Sequence, residues 1–158
     1  MTRRKRLTHL DDSGHARMVD VSEKERTVRE AVAEAFVRCS PATIALVRER
    51  KVPKGDVLAV ARIAGIAGAK RTPDLVPLCH PVSLTGVDVD LDVRDDGIRI
   101  VTTARAQDRT GVEMEAMTAA AAAALAVYDM LKAAERGIEI VGWRLLRKSG
   151  GRSGEWRR

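Results

Sequence analysis

Aromatic residues are scarce in this chain. Phe36, Tyr128, Trp143 and Trp156 supply only 3% of 158 positions, so Val, Ile, Leu and Ala must build the core. A core of such small side chains often continues across a subunit interface. Cysteine is nearly absent too: Cys39 and Cys79 form no CxxC, which excludes a disulfide framework and points to a reducing cytoplasm. The longest small-apolar run, Ala119–Val127, is far shorter than the ~20 residues a bilayer span needs. Met1–Arg6 is basic but no apolar stretch follows it, so it does not read as a signal peptide. No repeat or linker divides the chain. The expected organisation is a flexible arm over 1–15 and one domain over 16–158.

Charge, by contrast, is plentiful. Lys plus Arg outnumber Asp plus Glu 28 to 22, a net charge of +6. A basic balance suits nucleic acid, anionic lipid or a phosphorylated small molecule. Part of the excess lies at the ends, in Arg3-Arg4-Lys5-Arg6 and Arg157-Arg158. Between Lys54 and Pro81, the bases Lys54, Arg62, Lys70, Arg71 and His80 are interleaved with two acids, glycines and prolines. Such punctuation fixes backbone geometry around polar side chains. It describes a basic binding surface or, more sharply, an active site for an anionic substrate.

Patterning assigns the elements. Met18, Val19 and Val21 suggest a short strand over 16–21. Ser22-Glu-Lys-Glu25 is a capping box, and Val28, Ala31, Val32, Ala35 and Phe36 trace one helical face, which predicts a helix. Ser40-Pro41 starts a second helix to about Glu49, Asp56 caps a third over 57–65, and Thr72-Pro73-Asp74 makes a short turn. From 83 to 93, Val87, Val89, Leu91 and Val93 alternate with Asp88, Asp90 and Asp92, a half-buried strand with one acidic face. Asp96-Gly97 turns it into a return strand. A long helix over 111–135 contains six consecutive alanines, Ala119–Ala124, that let another element come close. A last strand covers 138–146, and a basic glycine-rich tail follows. The order is β-α-β-β-α-β: an α+β, ferredoxin-like antiparallel sheet with helices on one face and extra helices in the first crossover.

Several residue groups carry chemistry. Asp129 and Lys132 stand at i, i+3 and can touch. The plain reading is an exposed ion pair, yet the alanine face before them tilts the expectation to a partly buried one. A desolvated lysine beside a carboxylate can carry protons near neutral pH. Glu113 and Glu115 flank Met114 at the start of the long helix, where the helix dipole alone would explain two acids. Cys79-His80 makes a poor two-ligand clamp, because neighbours in an extended segment face opposite ways. No metal site is expected; Cys79 reads as a small buried hydrophobe and His80 as a hydrogen-bonding or proton-transferring group. Lys148-Ser-Gly-Gly-Arg152 could wrap phosphates with backbone N–H groups and two cations, or be a flexible tail. Arg29 reads as a snorkelling surface residue beside an apolar stripe.

Taken together, Lys54-Gly-Asp56, Ala69-Lys-Arg-Thr72, Leu75-Val-Pro-Leu-Cys-His-Pro81, Thr110-Gly-Val-Glu-Met-Glu-Ala116, Tyr128-Asp-Met130 with Lys132, and Lys148-Ser-Gly-Gly-Arg-Ser-Gly154 resemble the cyclic pyranopterin monophosphate synthase family of molybdenum cofactor biosynthesis. The resemblance runs in order along nearly the whole chain. It implies a lyase that assembles as a homo-hexamer, a trimer of dimers, with active sites between subunits. It implies a triphosphate substrate, 3′,8-cyclo-7,8-dihydro-GTP, rearranged to the pyranopterin with a cyclic phosphate and released pyrophosphate. It places Asp129, Lys132 and Lys54 at the catalytic centre. Substrate binding would fall to Leu78, Cys79, His80, Glu113, Met114, Glu115, Lys148, Arg29 and Arg152. No cofactor follows from it, though a Mg²⁺ ion with the phosphates stays open. Three positions depart from the family pattern: Leu131 replaces a frequent cysteine, Arg152 a lysine, and Glu-Trp-Arg-Arg an acidic tail. A nucleic-acid-binding module is the competing class. Sheet-based RNA binders expose stacking aromatics, whereas this alternating strand exposes Asp88, Asp90 and Asp92, so no nucleic acid and no membrane partner is expected. A catalytically dead scaffold subunit is a third class, and the retained cations and acids argue against it.

Overall fold

The computed structural model describes residues 9–152 and 154–158. Five strands form one antiparallel sheet in the order β2-β3-β1-β4-β5. The strands are β1 Thr27–Arg38, β2 Leu84–Arg94, β3 Gly97–Asp108, β4 Glu139–Ser149 and the two-residue β5 Trp156–Arg157. The helices are α1 Pro41–Arg48, α2 Val57–Lys70, α3 Thr72–Leu75 and α4 Glu113–Leu131. The β-α-β-β-α-β order and the α+β class are as expected, with α1, α2 and α3 in the first crossover.

The first strand, however, is not where patterning put it. No strand covers 16–21, and where a helix was expected from Ser22 through Phe36 the chain forms turn and coil to Arg26 and then β1, the central strand of the sheet. Its alanines fit both periods. Ala31, Ala33, Ala35 and Val37 alternate and are all buried, while Val32 and Phe36 lie on the other face. What decides is two partners: β1 pairs with β3 along its whole length and with β4 through two bulges. The capping-box serine is used otherwise, since Ser22 donates its N–H and hydroxyl to Asp20 Oδ1 at 2.8 and 2.6 Å. Of the expected arm, residues 1–8 lie outside the described residues. Residues 9–16 make a tight turn held by Asp11 Oδ1, which accepts from the Ser13 and His15 N–H groups.

Other boundaries shift less. Ser40 and Asp56 cap α1 and α2 as predicted. α2 runs through Gly65 and Gly68 to Lys70 because those glycines face α4 rather than end the helix. A Cβ on Gly68 would lie 2.6 Å from Ala122 Cβ, and one on Gly65 3.2 Å from the Ala119 carbonyl oxygen. α4 stops at Leu131, short of Gly137. The hairpin turn is Asp95-Asp96, closed by the Arg94–Gly97 pair. β4 extends to Ser149, so Lys148 belongs to the sheet and not to the tail.

α4 is long and apolar enough to cross a membrane by length and composition, a possibility the alanine run alone did not raise. In the fold it is the core helix, its alanines against the sheet and α2. Thr102 of β3 donates to the Ala116 carbonyl at 2.7 Å and ties the two layers together. The opposite face of the sheet is a lattice of ion pairs. Glu34 holds Arg99 and Arg144, each at 2.6 Å; Glu30 holds Arg105 at 2.8 Å and Arg147 at 2.6 Å. Burial pushes the Glu34 carboxyl up, but the two guanidiniums outweigh it and keep the pKa below the usual range.

Candidate functional site

Two groups of polar side chains sit at opposite ends of α4. At its C-terminal end Asp129 bridges two lysines. Its Oδ1 is 2.7 Å from Lys132 Nζ and its Oδ2 2.9 Å from Lys54 Nζ. Lys54 also donates to the Asp129 carbonyl at 2.8 Å. Lys132 follows from helical spacing; Lys54, in the loop before α2, is brought in by the fold. The expected burial is absent. Asp129 is 56% and Lys132 53% exposed, because the alanine face ends at Leu131 and both side chains point off the end of the core. The lysine pKa is therefore not lowered. Asp129 raises it, while hydrogen bonds from Lys132 and then Lys54 hold the Asp129 carboxyl down at about 2. Lys132 is an ammonium ion.

At the N-terminal end of α4 lies a cleft of about 560 Å³. Leu78, Cys79 and His80 from the 76–82 segment and Glu113 and Met114 from α4 all line it. Glu113 accepts from Lys148 Nζ at 2.9 Å, so β4 delivers its lysine to the first turn of α4. Glu115 belongs to this end but is 1% exposed, beneath Cys79. A second cleft of about 710 Å³ adjoins, lined by Lys24, Arg29 and Arg152 with Gly151, and also by Glu23 and Glu25. Arg29 shares the helix-side face of β1 with Ala31. It is part-buried rather than snorkelling, and donates to the Asp108 and Arg109 carbonyls, both at 3.3 Å. Gly151, at φ 70°, lies so close to the Arg29 guanidinium that any Cβ would clash with it. The tail thus folds over Arg29: β5 pairs Trp156 with Lys148 and Arg157 with Arg147.

Sequence reasoning missed Lys24 and His9. Lys24 lines both clefts, and His9 lies on the first, opposite His80's segment in the chain. Lys24 stands in the stretch that reads as a capping box and His9 in the expected arm, so neither reads as a site residue in the sequence. Among the described residues no three metal-ligating side chains gather. The two cysteines are free.

Fold and clefts define a ferredoxin-like α+β protein with two clefts of mixed charge near one end of its long helix and a Lys-Asp-Lys bridge at the other. The chain belongs to the MoaC family, whose sequence profile matches residues 18–151. It is 58% identical over 153 residues to the cyclic pyranopterin monophosphate synthases of Streptomyces avermitilis and Streptomyces coelicolor, covering 97% of this chain and 90% of each relative. It is also 58% identical over 154 residues to the enzyme of that name from Thermomicrobium roseum, covering 96% and 93%.

Proposed function

We propose that this chain is a cyclic pyranopterin monophosphate synthase, a lyase that converts 3′,8-cyclo-7,8-dihydro-GTP to the cyclic pyranopterin monophosphate and pyrophosphate. The carrying observation is 58% identity, over 97% of the chain, to relatives of that name. The geometry supports it. Lys24, Arg29, Lys148 and Arg152 cluster where a triphosphate needs cations, and Leu78 and Met114 add apolar walls for a flat ring. Asp129, Lys132 and Lys54 are the proton-handling group. The rearrangement transfers no electrons to an outside acceptor, so no cofactor is required, and a Mg²⁺ ion would enter as part of the triphosphate. The reducing cytoplasm fits its free thiols. The acidic outer edge of β2 speaks against a nucleic-acid partner. Incubation with the cyclic dihydro-GTP, followed by detection of cyclic phosphate and pyrophosphate, tests the proposal; absence of both products would end it.

The separation of the two groups bears on assembly. Glu113 and Asp129 are sixteen positions apart on one helix, about 24 Å at the α-helical rise. One subunit does not bring them to one substrate, whereas a neighbour can bring its own Lys-Asp-Lys bridge to the cleft. A partner there would also desolvate Lys132, which an isolated subunit does not. This supports sites shared between neighbouring subunits, as the proposed hexamer, a trimer of dimers, would have. A light-scattering mass near 17.2 kDa at micromolar concentration would exclude it.

Lys148 tests the phosphate assignment. Lys148→Ala is expected to weaken tripolyphosphate binding by about tenfold, the worth of one lost charge-assisted contact. The thermal midpoint should move little. Unchanged affinity with lowered stability would make Lys148 a structural partner of Glu113 only.

A further inference from the structure

Glu115 stands apart from the other acids of α4. Glu113, two residues earlier, is 30% exposed and has Lys148 as its counter-ion. Glu115 is 1% exposed, and no cation is paired with it among the described residues. Its Oε1 is 3.9 Å from the Cys79 thiol, and its Oε2 has no hydrogen-bond partner. On its far side it borders a cavity of about 280 Å³, together with Lys70, Pro73 and Pro81. The C-terminal end of α2, the 76–82 segment and the first turn of α4 therefore meet at this carboxyl.

The geometry points to Glu115 as a neutral carboxylic acid that supports the Leu78–His80 wall through Cys79, a positioning residue and not a substrate contact. This rests on the reading of the cleft as the substrate site. A buried carboxylate without a cation keeps its proton. The groups that face it say the same. Glu113 on α4 and Asp108 at the end of β3 are acids, Cys79 is an uncharged donor, His80 lies beyond it, and Lys70 is across the cavity. Burial first, with Glu113 and Asp108, pushes the Glu115 pKa up to about 7, against the lowering by its own backbone N–H and by the Cys79 thiol. Burial, Glu115 and Glu113 likewise raise the Cys79 thiol, so that contact joins two protonated groups. The thiol donates to Oε1, and the acid proton sits on Oε2. Ionising Glu115 would put a bare charge behind the wall that carries His80.

The sign with pH follows. The native carboxyl binds its proton more tightly than the unfolded one. Stability linked to Glu115 is complete below its ordinary value of 4.5 and is lost as pH rises to about 7. Three variants test the assignment by steady-state turnover of the cyclic dihydro-GTP and by melting against pH. Glu115→Gln, neutral and of equal size, should keep kcat and KM within about threefold. Glu115→Ala and Glu115→Asp should raise KM about tenfold or more, because the wall shifts while the reacting groups stay. The melting temperature of the unmodified protein should fall relative to Glu115→Gln as pH rises towards neutral. A difference infrared spectrum of the two in mildly acidic buffer should show a protonated carboxyl. If Glu115→Gln raises KM as much as Glu115→Ala, or if the two melting profiles run parallel, the proposal falls. Should the unmodified protein not turn over this substrate, the functional reading fails instead, and melting and infrared still decide the state of Glu115.

Discussion

Lys132→Ala, Asp129→Ala and Lys54→Ala are each expected to lose about 10²–10⁴-fold in turnover, the usual cost of removing a positioned acid or base. The fold should survive all three, because the side chains are 40% to 56% exposed and none packs in the core. Asp129→Ala should be the worst, since it leaves two ammonium groups together without their shared counter-ion. Asp129→Asn should lose nearly as much, since its single amide oxygen can accept from only one of the two lysines that Oδ1 and Oδ2 now hold. With its pKa held at about 2, Asp129 stays ionised through the working range and contributes no limb to the pH–rate profile. A titrating limb must come from a lysine desolvated by assembly or from another group. If the three were an ordinary surface cluster, turnover would stay within about twofold and stability within ~1 kcal/mol. Pyrophosphate release measured beside the oligomer mass separates the two outcomes, and near-normal turnover in Lys132→Ala would remove the catalytic assignment.

Gly68→Val should destabilise the protein by about 3 kcal/mol or more, the upper end of overpacking. Two effects oppose each other at this position. A side chain at a helix-interior glycine gains about 1 kcal/mol or less in helix propensity. Against it, even a Cβ would stand 2.6 Å from Ala122 Cβ and 3.2 Å from the Thr118 carbonyl oxygen, and neither is a flexible side-chain end. The clash wins, so Gly68→Ala should also destabilise, by less. Gly137→Ala is the control: nothing lies within 4 Å of its added Cβ, and the change should stay within about 0.5 kcal/mol. Urea midpoints of the three variants decide it; a Gly68→Val midpoint equal to that of Gly137→Ala would show that α2 and α4 are not closely packed.

Much of the fold was legible where side chains differ strongly from face to face. In β2 aspartates alternate with valines, and no other period fits. Ser40 and Asp56 announce helix starts through chemistry that only a cap requires. β1 was illegible for the opposite reason. Its inward side chains are mostly alanines, and alanine suits a helix as well as a strand between two neighbours. The site divides the same way. The Asp129–Lys132 contact is local and follows from helical spacing. Lys54 reaches Asp129 across 75 positions, and only the resemblance pointed there. The exposure of this pair depends on where the core ends, and the burial of Glu115 on what lies above it. Neither is encoded in spacing.

The place of β1 also sets an order of events during synthesis. Among the described residues it is the first strand to be made, and it is the central one in the sheet. Its neighbours are Gly97–Asp108 and Glu139–Ser149, so its inner partner appears some seventy residues later and its outer one at the end of the domain. Until then a strand with two unpaired edges waits beside the ribosome, with only α1, α2 and α3 able to form locally. Distant pairing of this kind slows folding and leaves edges open to other chains. The glutamates on its outward face, Glu30 and Glu34, are the charges that discourage such contacts before their arginines arrive.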